Sequence, residues 1–286
     1  MNWRRIAWGL TALCAAFLVL EVFWRVAGVT DFPLYVREAP EAFVPAPNQR
    51  GRFLHRFDWA YNEKSMGVAR PFQPVGDLLI GDSEIEGSVT FLRQADKIGP
   101  LLEEASGITI WPIGAKRWGL DNELAYLNSH PDLFGLKTII LLSNSGDFGP
   151  ERQWDDEFEH PTRHPLIATP YLLARKFYRA DPRADNPQPS PASDKIWHDA
   201  LHRFLNSYKG RVIFVLLPIQ SEVVNHQDHF SPLLKQLALE NRSNVSVIRI
   251  ADDTAWSPSF YQNNYHPNAA GNRELAAFVG PRIRHY

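Results

Sequence analysis

The sequence predicts an α/β fold in which a five-stranded parallel sheet lies between two layers of helices. Short apolar runs rich in Val, Ile and Leu recur along residues 77–250, and segments with helical spacing separate them. Continuous apolar runs are typical of strands that are covered on both faces, and the alternation of strands with helices is typical of parallel sheets. We therefore expect a three-layer α/β/α sandwich.

The elements of this sandwich follow one another in a regular order. The five predicted strands are residues 77–80, 108–113, 138–142, 212–217 and 245–250. The predicted helices between them include residues 92–104, 122–129 and 231–240. A chain of 286 residues accommodates one such domain with an accessory segment, but not two catalytic domains.

Residues 6–29 predict a transmembrane signal anchor. Two arginines precede an apolar stretch of about 20 residues, the length that crosses a bilayer as a helix. Glu21 and Arg25 stand near its end, where long side chains reach the interface. The arginines favour a cytoplasmic tail at residues 1–5, which places the rest on the periplasmic or extracellular side of the cell inner membrane. A cleaved signal peptide is the alternative, but residues 21–25 contain no typical cleavage site.

Two segments interrupt the alternation. Residues 30–75 are rich in proline and aromatic residues without a clear period, which predicts a connector to the domain at 76–286. An insert at 149–194, with a proline-rich run at 186–191, is typical of a surface excursion or lid. Within it, the helix-like piece 171–178 either packs on the core or faces an anionic partner, and we expect packing.

Composition excludes several classes of function. The net charge of -2 gives no overall basic field, which argues against nucleic acid as a partner. Cys14 is the only cysteine, so an internal disulfide or a cysteine metal cluster cannot form. Histidine and acidic residues occur at 155–160 and 226–229, and His198 and His202 share a helix face, but these spacings do not specify a converging metal site. We expect polar surface there, and neither a metal nor another cofactor.

Ser83 directly follows the first predicted strand of the sheet. Ligands of open parallel sheets bind at the carboxyl ends of the strands. Gly81 permits a tight turn there, and the N-terminus of a following helix presents N–H groups where an oxyanion can form. We expect Ser83 to be a nucleophile and its own N–H to be an oxyanion donor.

A serine hydroxyl needs a base before it attacks an ester. Among the ten histidines, His266 follows the last predicted strand and precedes the final helix, which Pro267 and Asn268 begin. We therefore expect His266 to lie within reach of Ser83 and to act as its general base.

These two segments resemble the SGNH (GDSL-like) hydrolases. The first motif is Gly81-Asp82-Ser83, and the last is His266-Pro267-Asn268 with Gly271. The resemblance covers roughly residues 76–280. It implies a flavodoxin-like sheet, in agreement with the predicted strands, and serine-based ester chemistry.

The resemblance also implies two further oxyanion donors. Gly119, in Arg117–Leu124, matches the glycine whose N–H binds the oxyanion. The family places an asparagine side chain after the third strand, directly before an aspartate, whereas Gly146 precedes Asp147 here. Asn144 is the nearby residue with an amide to donate, so the role is carried to Asn144.

Asn263 is the second departure from the family. It stands three residues before His266, where the family has the aspartate that orients the histidine. An asparagine can hold the ring by a hydrogen bond but cannot stabilise the imidazolium by charge, so a Ser-His dyad or low activity is expected. Glu222, after the fourth strand, is the alternative orienting residue.

These features predict an extracytoplasmic ester hydrolase that acts through an acyl-Ser83 intermediate on an acyl ester or an acetylated glycan. One N-terminal membrane helix before such a domain is similar to proteins that O-acetylate exported polysaccharides beside a multi-spanning acyltransferase. O-acetyl transfer with such a partner is therefore one alternative. A non-catalytic glycan-binding or assembly protein is the other, motivated by Asn263 and the irregular third motif.

Overall fold

The computed structural model describes most of the chain. The described residues are 3–37, 43–87, 91–148, 156–178, 191–227 and 229–284, with the side chains of 191–196 excepted. Parts of three predicted features lie outside them: residues 1 and 2 of the tail, the insert at 149–155 and 179–190 with most of its proline-rich run, and Asp155 and Asp228 of the polar clusters.

The chain begins with helix α1, Trp3–Val26, and two small hairpins. Strands β1 (Tyr35–Val36) and β2 (Val44–Pro45) form the first, and β3 (Gln49–Phe53) and β4 (Phe57–Tyr61) form the second. None of the residues of α1 is buried, and the helix is long and apolar enough to cross a membrane. The aperiodic sequence of residues 30–75 did not predict the hairpins.

The predicted five-stranded parallel sheet is confirmed. Its strands are β5 (Asp77–Gly81), β6 (Ile110–Gly114), β7 (Thr138–Asn144), β8 (Arg211–Leu217) and β9 (Val245–Arg249). They lie in the order β6-β5-β7-β8-β9, with all neighbouring pairs parallel. The carboxyl ends of β5, β6 and β7 therefore meet at one edge of the sheet.

Helices cover both faces of this sheet. The helices after α1 are α2 (Ser83–Glu86), α3 (Ile98–Ser106), α4 (Leu120–Ser129), α5 (Ala168–Phe177), α6 (Pro191–Ser207), α7 (Gln220–Asn225), α8 (Ser231–Glu240) and α9 (Ala269–Arg284). Of these, α3 and α9 pack on one face and α4, α6 and α8 on the other, whereas α5 contacts α1. The predicted helix 92–104 begins only at residue 98, because Lys97 is extended and ends a short 3-10 turn. Gly107 in the left-handed conformation, with φ of 66°, ends the same helix.

Successive strand residues point to opposite cores. In β5, Leu78 and Ile80 join a cluster with α4, α6 and α8, whereas Leu79 joins a second cluster with α3 and α9. Both clusters are buried from water, which explains why the sequences of the strands are continuous apolar runs.

The segment before the sheet is part of the first core. Phe43, Val44 and Met66 are buried within it. The indole of Trp118 donates to the Phe43 carbonyl at 2.9 Å, and that of Trp111 donates to the Val75 carbonyl at 2.7 Å. Trp111, Trp118 and Tyr126 are therefore buried residues of this core.

Candidate active site

Ser83 is the first residue of α2, in the turn that follows β5. Asp82 caps this short helix, since its Oδ1 accepts a hydrogen bond from the Glu84 N–H at 3.0 Å. A Cβ at Gly81 would lie 2.7 Å from the Leu142 carbonyl oxygen, so only glycine allows β5 and β7 to approach at this point. The turn leaves Ser83 half-buried at the carboxyl edge of the sheet.

His266 reaches this edge from the loop before α9. The Asn268 side chain begins the helix by accepting hydrogen bonds from the N–H groups of Ala270 and Gly271 at 2.9 and 3.0 Å. The backbone bridge between Tyr261 and Pro267 closes the loop. The Nε2 atom of His266 lies 2.8 Å from the Ser83 hydroxyl oxygen, so the structure brings the two predicted residues into hydrogen-bond contact.

Asn263 holds the other nitrogen of the ring. Its Oδ1 lies 3.0 Å from His266 Nδ1 and also accepts hydrogen bonds from the N–H groups of Tyr265 and His266, at 3.0 and 2.9 Å. Because two backbone donors fix this oxygen as the acceptor, Nδ1 must carry the ring proton. Nε2 is then left with a lone pair that accepts from the Ser83 hydroxyl, which is the tautomer that a general base requires.

The protonation state of His266 fits the same function. Burial, together with the positive charge of Lys116, lowers the pKa of His266 to about 4. The imidazole is therefore neutral at pH 7. A low pKa also makes it a weak base, and Asn263 supplies no negative charge to compensate.

Glu222 does not take the orienting role. It is buried in α7, where one carboxylate oxygen accepts the Ile219 N–H at 2.9 Å and the other lies 2.8 Å from His229 Nδ1. The alternative that placed Glu222 beside His266 is wrong, because this side chain stabilises the first turn of its own helix.

Asn144 lies beneath the Ser83 turn with both amide hydrogens engaged. Its Nδ2 donates to Asp82 and to Glu84, at 3.2 Å in each case, and its Oδ1 accepts from the Gly146 N–H at 2.7 Å. These bonds tie the end of β7 to the cap of α2. To bind an oxyanion, Asn144 would have to give up a bond to a buried carboxyl, so that role stays a prediction.

Gly119 is likewise engaged in capping. Its N–H donates to Asn122 Oδ1 at 3.2 Å and its carbonyl accepts from Asn122 and Glu123 as α4 begins. A Cβ at this position would lie 3.0 Å from the Asp147 carbonyl oxygen. The glycine is explained by this close packing, and its role as an oxyanion donor also stays a prediction.

A cavity of about 350 Å³ opens beside His266. Its walls come from the segment after α1, the insert and the loops at the carboxyl edge of the sheet: Phe32, Pro33, Tyr35, Glu86, Phe91, Lys116, Phe158, Glu159, Pro161, Arg175, Asn263 and His266. Apolar rings with a few charged groups are the usual composition of a small-molecule site. Sequence reasoning identified Asn263 and His266 but missed the other lining residues, because the aromatic ones stand in segments without periodicity.

A network of charged groups lies at the base of this cavity. The Tyr35 hydroxyl donates to Glu86 at 2.5 Å, the Lys116 N–H donates to the same carboxyl, and the Lys116 ammonium pairs with Glu159. Burial raises the pKa of Glu86, against the influence of Tyr35 and Lys97. Glu86 stands three residues after Ser83 on α2, a spacing that could have been noticed in the sequence.

The polar clusters of the sequence do not assemble into a metal site within the described residues. No group of three or more His, Cys, Asp or Glu side chains there is arranged to hold a metal ion. His202 lies 3.1 Å from Glu240 instead.

Comparisons with known proteins find similarity in structure only. No protein-family model matches the chain, and no curated protein sequence matches it either. Similar solved structures include a GDSL-like protein from Bacteroides ovatus ATCC 8483, with 14% identity, a TM-score of 0.44, and coverage of 76% of this chain and 55% of that chain. An acetyl xylan esterase from Butyrivibrio proteoclasticus has 11% identity, a TM-score of 0.43, and coverage of 76% and 65%.

A lipase/acylhydrolase from Enterococcus faecalis has 13% identity, a TM-score of 0.46, and coverage of 73% of this chain and 96% of that chain. By contrast, this chain spans less than two thirds of the length of the Bacteroides ovatus and Butyrivibrio proteoclasticus proteins. At these identities the similarity concerns the fold, and no residue role is taken from it.

Proposed function

We propose that the protein is a membrane-anchored serine esterase or acyltransferase of the SGNH type, with Ser83 as nucleophile and His266 as general base. The 2.8 Å contact between His266 Nε2 and the Ser83 hydroxyl carries this proposal. The ring tautomer set by Asn263 and the neutral state of the imidazole support it.

The chemical steps follow from this geometry. Ser83 Oγ attacks the ester carbonyl while its proton passes to His266 Nε2, and the carbonyl oxygen becomes an oxyanion. Collapse of this intermediate breaks the bond to the leaving alcohol, which takes the proton from His266. The acyl group remains on Ser83. Water or a second alcohol then attacks the acyl-serine, His266 again takes and returns the proton, and free Ser83 is regenerated.

The Ser83 N–H is the oxyanion donor that the turn itself supplies, since first-turn amides lack a partner within the helix. Gly119 and Asn144 would add to it only after rearrangement. We expect that activity depends on this rearrangement or proceeds with one donor, at a loss of roughly 3 to 4 kcal/mol of transition-state stabilisation for a missing donor.

The anchor at α1 is proposed to remain attached. Its last turns bond to the folded domain, since the Arg25 guanidinium donates to the Leu166 carbonyl at 2.6 Å and His55 Nε2 donates to the Val26 carbonyl at 2.5 Å. Cleavage after any of residues 21–25 would remove Glu21 and its bonds to the N–H groups of Ala168 and Thr169. With the N-terminus in the cytoplasm, the domain lies outside the membrane, where the acyl acceptor is either water or the hydroxyl of an envelope glycan.

The non-catalytic alternative also has support in the structure. The amide of Asn144 and the N–H of Gly119 are both engaged, and Asn263 replaces the charged residue of a full triad. A protein with this site could bind a glycan without efficient turnover.

A serine-directed fluorophosphonate separates the two functions. We expect wild-type protein to be labelled at Ser83, and Ser83→Ala and His266→Ala to lose both labelling and hydrolysis of p-nitrophenyl acetate. If neither variant changes either measurement, the enzymatic proposal fails. Discharge of acyl-Ser83 by supplied glycan, measured against discharge by water, then separates transfer from hydrolysis.

A further inference from the structure

Residues 163–177, comprising α5 and the segment that leads into it, expose an unusual amount of apolar surface. Leu166 is 92% exposed, Phe177 is 77% exposed and Leu173 is 55% exposed. Leu173 and Phe177 stand four residues apart on one helix face. Large apolar side chains in such a cluster mark an interaction surface.

Basic side chains stand in the same segment as these apolar residues. Arg163, Arg175 and Lys176 are all exposed, and the last two stand on the same helix as Leu173 and Phe177. An amphipathic helix with apolar and basic residues together is the pattern of helices that lie in the interface of a phospholipid bilayer.

The attachment to α1 determines where this surface lies relative to the bilayer. The Glu21 carboxylate accepts hydrogen bonds from the N–H groups of Ala168 and Thr169 at 2.8 and 3.0 Å, so a residue of α1 caps α5. The α1 residues before Glu21 rise about 27 Å at 1.5 Å per residue, close to the roughly 30 Å of a hydrocarbon core. Glu21, and with it the start of α5, therefore lies where the bilayer meets water.

We propose that residues 163–177 lie on the bilayer surface, with Leu166, Leu173 and Phe177 among the acyl chains and Arg163, Arg175 and Lys176 at the phosphates. This inference rests on the membrane anchorage proposed above. Arg175 also lines the cavity beside His266. The cavity is then held next to the headgroups, where it receives esters presented at the membrane surface.

Spin labels on single cysteines test this arrangement, with the full chain reconstituted in vesicles of phosphatidylcholine and phosphatidylglycerol. The native Cys14, within α1, reports on the anchor. In a Cys14→Ser background, Leu173→Cys and Phe177→Cys report on α5. Leu239→Cys on α8 is the matched control. This leucine is 71% exposed, and no other large apolar side chain of α8 is exposed beside it.

The measurement compares collisions of each label with oxygen, which concentrates in lipid, and with a water-soluble nickel chelate. We expect labels at 14, 173 and 177 to favour oxygen and the label at 239 to favour nickel. A label at 14 in lipid with labels at 173 and 177 in water overturns this inference alone. Labels at 173 and 177 shielded from both reagents also overturn it, because they then contact protein. A label at 14 in water overturns the anchorage and this inference together, without bearing on Ser83 chemistry.

Discussion

His266 Nε2 lies 2.8 Å from the Ser83 hydroxyl oxygen, although 183 positions separate the two residues in the chain. Ser83 begins α2 and His266 lies on the loop before α9, both at the carboxyl edge of the sheet. The contact is therefore made by the topology of the sheet and not by any local sequence feature.

Replacing Ser83 by alanine should reduce ester turnover at least about a thousandfold, since loss of a nucleophile removes the acyl-enzyme route. Initial rates on p-nitrophenyl acetate measure this. Ser259→Ala is the matched control, because Ser259 is exposed near the same loop and bonds to Ser257 at 2.7 Å. Equal losses in both variants would contradict the assignment of Ser83.

Asn263→Asp should make the enzyme faster, by about tenfold, because a carboxylate beside Nδ1 stabilises the imidazolium that forms in the transition state. The same charge should raise the pKa of His266. The pH dependence of kcat/KM measures both effects. Asn264→Asp, one residue further along the loop, is the control; a gain of the same size there would count against a specific effect on His266.

Activity should be nearly constant from pH 8 to pH 5 and fall as the pH passes through about 4, the pKa of His266, since the protonated ring cannot accept the Ser83 proton. Lys116→Met should move this acidic fall in activity to higher pH, because the ammonium of Lys116 lowers the pKa of His266. Lys64→Met, which removes a charge paired with Asp132, serves as control. If activity falls at the same pH in Lys116→Met as in wild type, the proposed influence of Lys116 on the pKa of His266 is excluded.

Acid should destabilise the fold through His160. This side chain is fully buried between Phe43 and Tyr35 and its Nε2 donates to the Lys116 carbonyl. Burial lowers its pKa from 6.5 to about 4. The neutral folded form is favoured, so the stabilisation is present above pH 6.5 and is lost as the pH falls towards 4, by about 3 kcal/mol in full.

Thermal unfolding in detergent, followed by tryptophan fluorescence between pH 7 and pH 4, tests this expectation. The Tm of His160→Gln should fall less steeply with pH than that of wild type. His164→Gln, at an exposed histidine, should keep the wild-type slope. The same slope in His160→Gln as in wild type would show that other groups dominate.

Asn144→Asp should lower the free energy of unfolding at pH 7 by roughly 2 to 4 kcal/mol, since a third carboxyl replaces the two N–H donors that face Asp82 and Glu84. The loss should shrink as the pH falls towards 4, where carboxyls ordinarily begin to protonate. Asn128→Asp, where the amide donates to a neutral carbonyl at 3.2 Å, is the control. A loss that does not depend on pH would argue against carboxyl repulsion.

The sequence alone determined the sheet and the ends of its strands. Runs such as Thr138–Leu142 are apolar because both faces of the sheet are covered, and this burial is a local property that a single segment displays. Ser83 could be selected because it lies at the turn after a strand, and His266 because it lies between the last strand and the last helix, since parallel strands place their carboxyl ends at one edge.

Only the tertiary structure decided which hydrogen-bond partners these side chains have. Asn144 is bonded to Asp82 and Glu84, and Glu21 to the start of α5, and none of these pairs is close in sequence. The cavity is likewise assembled from segments that are distant in the chain and lack periodicity. Such contacts depend on how loops pack over the sheet. The hydrophobic pattern specifies the strands but does not specify that packing.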